Sequence, residues 1–285
     1  MVNFFYINGK FVPEKRAKIS VFDLGFSRGY AVFDFLRTYN GKPFYLNEHL
    51  KRLLNSAKLI GLKHNYSLNS LRKIVLKTLE KNKLKEANIR IYLTGGEAKD
   101  FLTPSKPNLI VIITPIKKLP EYLYTKGGKL ITKISERILP QAKTIVYTEG
   151  IKFLQEAKRK GAIEVLLISK DGKILECTTS NFFAVINKKL ITPPKDKILE
   201  GITRKVVFQL AKKLKISVLE RDINFGEIKK FKEAFITATN KEILPIVKID
   251  KIKIGNGKVG EITKVLMAEF KKLTAVSYTH LTLPT

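Results

Sequence analysis

The chain has 285 residues, 44% of them hydrophobic, which is enough for one large globular domain or two of ordinary size. No apolar run approaches the length of a membrane span, and the start MVNFFYINGK lacks a signal-peptide pattern, so we expect a cytoplasmic location. The single cysteine, Cys177, excludes an internal disulfide framework, and with only three dispersed histidines the sequence predicts no metal site.

The formal net charge of +29 comes from 54 lysines and arginines set against 25 aspartates and glutamates. The lysines are spread over the whole chain in ones and twos, and no RNA-binding signature accompanies them. Charge of this kind is usually a solvated surface, so we expect no specific nucleic-acid partner. The same charge should attract anionic substrates and phosphate groups.

The predicted elements of the N-terminal half begin with a hairpin in FFYINGKFV, which turns at Asn8-Gly9. Residues 20–36 are interpreted as a loop that leads into an amphipathic segment, and Pro43–Leu46 as a short strand. Ser67 or Asn69 has the character of a helix cap. Helical spacing and β-like runs then predict, in order, helices over 47–60 and 69–81 and strands over 89–94 and 109–114.

The C-terminal half alternates strands and helices. The turn Lys170-Asp171-Gly172-Lys173 separates two of its strands. The elements predicted here are strands over 129–134, 164–169, 182–186, 216–219, 234–238 and 246–249, and helices over 150–160, 203–214 and 261–272.

The polar stretch KKLPEYLYTKGG predicts an interdomain linker, because proline and glycine mark breaks between packed elements. We therefore expect an N-terminal α/β domain over 1–118, a linker over 119–128 and a larger C-terminal domain over 129–274. Residues 275–285, AVSYTHLTLPT, break the lysine-rich composition and resemble translated adaptor sequence, so they are expected to be a non-native tail.

Three features of the C-terminal half indicate chemistry. Lys143 can form an imine with an aldehyde cofactor, and Glu176 can keep the ring nitrogen of such a cofactor protonated. The run Leu199–Arg204 leads from a loop into a helix, whose first N–H groups can bind a phosphate. In this order, the three features predict a pyridoxal phosphate site.

These residues, together with SRGYAVFDFLR, EHLKRLLNSA and TATNKEILPI, resemble the class IV aminotransferases, which are fold-type IV pyridoxal phosphate enzymes. The resemblance covers nearly the whole chain. It implies a two-domain α/β fold, with pyridoxal 5'-phosphate between a smaller N-terminal domain and a larger C-terminal domain. It also implies a homodimer in which a loop of the partner closes each site.

The resemblance assigns roles to individual residues. Lys143 would bind the cofactor and then shuttle a proton at the substrate α-carbon, and Glu176 would face the ring nitrogen. Tyr147 matches the tyrosine that contacts the phenolic oxygen of the cofactor, whereas Val146 replaces an asparagine that is common in the family. The remaining cofactor contacts implied by the resemblance are Leu199 against the ring and Arg52, Ile202, Thr203 and Thr239 at the phosphate.

The residues expected to decide substrate preference depart from the better-known relatives. Arg28 stands where branched-chain enzymes have a tyrosine, and Phe33 stands where typical D-amino acid transaminases have one. Arg28, Arg90 and Lys241 could replace the usual carboxylate-binding groups, because clustered cations bind carboxylates well. This pattern resembles a less common group of D-amino acid transaminases.

The sequence therefore predicts transamination between an amino acid and a 2-oxo acid. The first hypothesis is a D-amino acid transaminase that uses D-alanine or D-glutamate with 2-oxoglutarate or pyruvate. The alternative is a branched-chain L-amino acid aminotransferase. Aminodeoxychorismate lyase, or a basic nucleic-acid-binding protein that has kept the fold, ranks lower.

Overall fold

The computed structural model describes residues 3–275. Within them the chain forms two units, which are described separately below. The first unit contains residues 3–117, the segment 142–146 and Ala275, and the second contains residues 118–141 and 147–274.

The first unit is built on an antiparallel sheet. Its opening hairpin turns at Asn8 and Gly9, which have φ angles of 46° and 92°, and this confirms the predicted asparagine-glycine turn. The six strands are β1 (Phe4–Ile7), β2 (Lys10–Pro13), β3 (Ala31–Tyr39), β4 (Lys42–Pro43), β5 (Ala87–Thr94) and β6 (Asn108–Pro115), in the order β2-β1-β6-β5-β3-β4.

Helices α1 (Leu24–Arg28), α2 (Leu46–Leu59) and α3 (Leu68–Asn82) complete this unit. The helical spacing predicts one apolar face of Leu50, Leu53, Leu54 and Ala57 on α2; three of these residues are fully buried in the core and Leu54 is half-buried against it. Of the two predicted caps, Ser67 is the one that caps α3, because its hydroxyl accepts a hydrogen bond from the backbone N–H of Ser70.

Two local predictions for this unit were wrong. Residues 20–36 contain the short helix α1 and most of the nine-residue strand β3 rather than a loop and an amphipathic segment. The strand predicted over Pro43–Leu46 ends at Pro43, and Leu46 already starts α2. In β3 the buried carboxylate of Asp34 hides the alternation of apolar and polar residues by which a strand is recognised.

The second unit contains a nine-stranded mixed sheet, in which β7 pairs in parallel with β8 and β14. Its strands are β7 (Gly128–Ile134), β8 (Glu164–Ile168), β9 (Ile174–Cys177), β10 (Asn181–Ile186), β11 (Lys189–Thr192), β12 (Val218–Glu220), β13 (Glu233–Ala238), β14 (Glu242–Ile249) and β15 (Ile252–Lys253). Its helices are α4 (Tyr122–Thr125), α5 (Thr148–Arg159), α6 (Ile202–Lys213) and α7 (Glu261–Ala275).

The predicted linker over 119–128 includes the short helix α4, which belongs to the second unit. The proposed division into 1–118 and 129–274 stays a prediction. Of the expected non-native tail, 276–285 lies outside the described residues. Among the described helices, none is both long enough and apolar enough to cross a membrane.

Candidate active site

Lys143 lies in a short segment that runs along the edge of β3 in the first unit. The backbone N–H of Phe33 donates to the Lys143 carbonyl over 2.9 Å, and the N–H of Ile145 donates to the Ala31 carbonyl over 3.3 Å. The N–H of Lys143 donates to the hydroxyl of Ser56 on α2 over 3.0 Å. These bonds hold the backbone at position 143 between β3 and α2, which fixes the position of the Lys143 Cα atom.

The side chain of Lys143 lies over an aromatic pair. Its Nζ is 4.5 Å from the centre of the Phe33 ring, and that ring stacks on Tyr92 with centroids 5.6 Å apart. Phe33 and Tyr92 are opposite each other in the β3–β5 register, so both rings stand on one face of the sheet. The lysine is therefore half-buried against an apolar surface.

Arg52, the predicted phosphate ligand, is held by a buried carboxylate of the same unit. Its Nε donates to Oδ2 of Asp34 and its Nη2 to Oδ1, both over 2.8 Å. His49 lies one turn earlier on α2, with Nδ1 2.7 Å from Oδ1 of Asp34. Asp34 and His49 are 0% and 1% exposed and the Arg52 side chain is 12% exposed, so the three residues form a largely buried cluster, which we call the Asp34 cluster.

The pKa values in the Asp34 cluster follow from burial and charge. Burial alone would raise the pKa of Asp34, but Arg52 and His49 outweigh that effect and hold the pKa well below its usual range. The pKa of His49 is lowered, because burial together with the charges of Arg52 and Lys143 outweighs the opposing effect of Asp34. An ionised carboxylate can only accept, so Nδ1 of the neutral His49 donates to Asp34.

The two arginines predicted to bind substrate lie in different settings in the first unit. Arg28 is exposed; its Nε donates to the carbonyl of Phe101 over 3.2 Å, and its guanidinium lies 5.6 Å from the centre of the Phe101 ring. Arg90 is half-buried on β5, and its guanidinium lies 5.1 Å from the centre of the ring of Phe35, its partner across the β3–β5 register. The two arginines therefore pack against different aromatic rings.

Glu176, the predicted ring carboxylate, is buried in the second unit with several donors around it. Oε1 accepts from Nη1 of Arg137 over 2.8 Å, and Oε2 accepts from Nδ2 of Asn181 and from the backbone N–H of Leu199, each over 3.1 Å. Asn181 also donates to the Leu199 carbonyl over 2.7 Å. The structure thus brings the predicted residues Glu176 and Leu199 together, and it adds Arg137 and Asn181, which were not predicted from the sequence.

The start of α6 has the features of an anion-binding helix terminus. Gly201 occupies the cap position and has no side chain to bind the first N–H groups, which belong to Ile202 and Thr203. A Cβ at Gly201 would lie 2.0 Å from Oδ1 of Asn181, so only glycine fits there. The direction of the first N–H groups and the helix dipole both favour a phosphate at such a terminus.

Thr239 follows β13 in a turn closed by a hydrogen bond from the N–H of Lys241 to the Ala238 carbonyl over 3.2 Å. Thr237, two residues earlier, is paired with Asn181 across β10 and β13, and its buried hydroxyl has no hydrogen-bond partner among the described residues. A buried orphan hydroxyl is rare in a finished core. The first N–H groups of α6 and the Thr237 hydroxyl are suitable donors for the predicted phosphate. The buried carboxylate of Glu176 is a suitable partner for the predicted pyridine nitrogen.

Tyr147 precedes α5 and is half-buried in the second unit. Lys241 is only 6% exposed, and its Nζ donates to the hydroxyl of Thr179 over 2.7 Å and lies 3.7 Å from Oε1 of Glu164. The ammonium predicted to face substrate is therefore paired with a carboxylate inside the second unit. The signal for this pairing was present in the sequence, because Glu164 opens a strand, EVLLI, that is otherwise wholly apolar.

Comparison with known proteins identifies the class of protein. A family model described as amino-transferase class IV matches residues 31–249, which is most of the chain. A Methanocaldococcus jannaschii protein that carries the name of a putative branched-chain-amino-acid aminotransferase is 39% identical over 278 residues, which cover 94% of this chain and 95% of that protein. The chain therefore belongs to the class IV aminotransferases and is an enzyme.

Solved structures agree with this assignment. The branched-chain amino acid aminotransferase of Escherichia coli superposes with a TM-score of 0.90 at 28% identity, covering 96% of this chain and 95% of that chain. The branched-chain enzyme of Thermobaculum terrenum, solved in its PLP-form, superposes with a TM-score of 0.86 at 25% identity, with 96% and 94% covered. The predicted family, fold type, enzyme class and cofactor are confirmed.

Proposed function

We propose that this chain transfers an amino group between an amino acid and a 2-oxo acid with pyridoxal 5'-phosphate as its cofactor. The observation that carries the proposal is the buried Glu176, held by Arg137, Asn181 and the Leu199 backbone. When bound, the cofactor supplies an aldehyde that takes up the amine and a protonated ring that accepts an electron pair from the substrate α-carbon. A carboxylate fixed in this way would accept the ring N–H of the cofactor.

Lys143 would bind the cofactor covalently through Nζ, and after release by the substrate amine the same nitrogen would move the proton at the α-carbon. General base work requires an amine that is neutral for part of the time, and the contact with the Phe33 ring would limit the positions that Nζ can occupy while it moves the proton. Phe33 would also exclude water from the side of the lysine on which it packs.

The phosphate would be bound by donors from several elements. Arg52 would contribute a guanidinium whose orientation is set by Asp34, while Ile202 and Thr203 would contribute backbone N–H groups at the start of α6. Thr239 would add a hydroxyl, and Leu199 would pack on the ring. Tyr147 would contact the phenolic oxygen.

We propose branched-chain L-amino acids as the substrates. Support comes from the names of the relatives and solved structures, which are branched-chain aminotransferases at up to 39% identity over nearly the whole chain. The aromatic surface of Phe33 and Tyr92 beside Lys143 suits an aliphatic side chain. Coupled assays with L-leucine, L-isoleucine and L-valine against their D-enantiomers test this, and turnover of D-amino acids alone would contradict it.

The second candidate is the D-amino acid transaminase that the sequence predicted first. Arg28 and Arg90 favour it, because their guanidinium groups could replace the carboxylate-binding groups of better-known relatives. It predicts turnover of D-alanine or D-glutamate with 2-oxoglutarate or pyruvate. The same panel of substrates decides between the two candidates.

We also propose a homodimer as the active form. Support comes from the family, in which a partner loop closes each site, and from apolar side chains left exposed in the first unit, such as Phe26 at 69% and Leu102 at 76%. Light scattering of the purified protein should give twice the chain mass of 32.4 kDa. A strictly monomeric enzyme with full activity would contradict this proposal.

A further inference from the structure

Glu164 is a buried carboxylate that the proposed chemistry does not use. It opens β8, a strand in which every residue is buried, and is itself 1% exposed. A charge at such a position is costly unless donors surround it. The donors that surround Glu164 therefore define its role in the structure.

The donors to Glu164 include the three residues between Cys177 and Asn181. The hydroxyls of Thr178, Thr179 and Ser180 donate to it over 3.0, 2.7 and 2.7 Å, and the backbone N–H of Thr179 donates over 3.2 Å. Because Glu176 and Asn181 flank this segment, the carboxylate of Glu164 fixes the backbone that carries the proposed ring-binding residues.

Further hydrogen bonds connect Thr179 to the turn that contains Thr239, which we call the phosphate turn. Lys241 closes the turn that contains Thr239, and its Nζ donates to the Thr179 hydroxyl over 2.7 Å, while that hydroxyl donates to Glu164. Tyr124 of α4 donates to the Lys241 carbonyl over 3.2 Å and so holds the same turn from another side. The Thr179 hydroxyl thus joins the two segments by accepting from one and donating to the other.

We propose that Glu164 and Lys241 are positioning residues, which act through the Thr179 hydroxyl to keep the ring-binding segment and the phosphate turn of the second unit in one arrangement. We call these three residues the Glu164 network. The proposal rests on the proposed function, because it assumes that Glu176 and Thr239 bind the cofactor. It gives Lys241 a role different from the substrate contact that the sequence predicted.

Thr179 offers the mildest test. The residue is solvent-exposed, so Thr179→Val removes the hydroxyl without opening a core cavity, and Thr179→Ser restores it. We expect Thr179→Val to raise the dissociation constant of pyridoxal phosphate about 10-fold, the usual effect of losing a hydrogen bond to a charged group. We expect Thr179→Ser to bind as the wild type does.

Lys241→Met should weaken cofactor binding more, because it leaves Glu164 without its cation. Lys271→Met, at an exposed lysine of α7, is the matched control and should leave binding unchanged. Melting temperatures of the cofactor-free proteins are measured alongside. A merely structural network would lower these temperatures and leave the dissociation constant unchanged, which would overturn the proposal.

The outcomes also distinguish a failure of this proposal from a failure of the proposed function on which it rests. If the wild type binds no pyridoxal phosphate, the proposed function fails. If the wild type binds it and Thr179→Val and Lys241→Met bind it equally well, only the positioning role fails. A raised KM for a dicarboxylic 2-oxo acid in Lys241→Met, with unchanged cofactor affinity, would overturn the positioning role in favour of a substrate contact.

Discussion

The two units satisfy their buried carboxylates in different ways. In the first unit, Asp34 accepts from two basic side chains, Arg52 and His49, and the guanidinium takes both of its oxygens. In the second unit, Glu176 and Glu164 accept mainly from amide, hydroxyl and backbone donors, with one cation at or near each. In the first case a carboxylate orients a cation, and in the second neutral donors orient a carboxylate.

This difference predicts different sensitivities. Removing the carboxylate from the Asp34 cluster leaves buried positive charge, which is a large loss of stability. Replacing Glu176 by glutamine keeps one acceptor oxygen for its two neutral donors, Asn181 and the Leu199 N–H, so folding should survive while chemistry suffers. The predictions that follow test this contrast, beginning with the largest effect.

Asp34→Ala should lower the free energy of unfolding by about 3–5 kcal/mol, because Arg52 and His49 lose their buried partner. Urea titration of the cofactor-free protein measures this change. Glu80→Ala, at an exposed carboxylate on α3 of the same unit, is the control and should leave stability nearly unchanged. Equal stability of the two variants would contradict the account of the Asp34 cluster.

Glu176→Gln should fold and bind the cofactor but lose activity by on the order of 10²–10³-fold, the usual effect of removing a charge placed at a reacting group. Gln keeps an oxygen for Asn181 and Leu199, which explains why the fold should persist. Single-turnover rates measure the loss, with Glu121→Gln as an exposed control. Near-normal rates in Glu176→Gln would remove this residue from the proposed site.

Asp34 should contribute to the pH dependence of the free energy of unfolding in acid. Its pKa in the folded protein is lowered, so its stabilising effect is complete above the ordinary carboxyl pKa of about 4 and is lost as the pH falls toward the folded value. Stability should therefore fall more steeply below about pH 4 in the wild type than in Asp34→Asn. Parallel curves of unfolding free energy against pH would contradict the lowered pKa.

Arg52→Lys should weaken binding of pyridoxal phosphate by about 10- to 100-fold, because an ammonium cannot keep both bonds to Asp34 and also face a phosphate. Fluorescence titration of the cofactor-free protein measures the change. Arg72→Lys, at an exposed position on α3, should bind normally. Unchanged affinity in Arg52→Lys would contradict the proposal that the Asp34 cluster contributes to cofactor binding.

Arg28→Ala should give the smallest effect. Under the branched-chain proposal, kcat/KM for L-leucine should change by about twofold at most, as is usual for an exposed residue. A selective loss of activity toward D-glutamate would instead favour the second candidate. Arg16→Ala, at another exposed arginine of the first unit, is the control for charge alone.

Local elements were predictable where short-range signals were strong. The Asn8-Gly9 turn, the apolar face of α2 and the Ser67 cap each depend on residues within a few positions of one another. Strand β3 was missed because a charged residue, Asp34, occupies one of its buried positions. Asp34 is stabilised there by Arg52 and His49, which lie on another element, α2.

The candidate site divides in the same way. Lys143, Glu176 and the start of α6 stand in ordered motifs, so a resemblance could identify them. The groups that orient Glu176 and Arg52 were not predicted, because Arg137 is 39 positions from Glu176 and Asp34 is 18 positions from Arg52. Pairings of this length depend on strand register and helix packing, which periodicity alone does not specify.

The most direct test of the whole account is reduction with borohydride after loading the protein with pyridoxal 5'-phosphate, followed by peptide mass spectrometry. The account predicts one phosphopyridoxyl group per chain, attached to Lys143 and absent from Lys143→Ala. Attachment mainly to another lysine, or no attachment in a folded wild type, would contradict it.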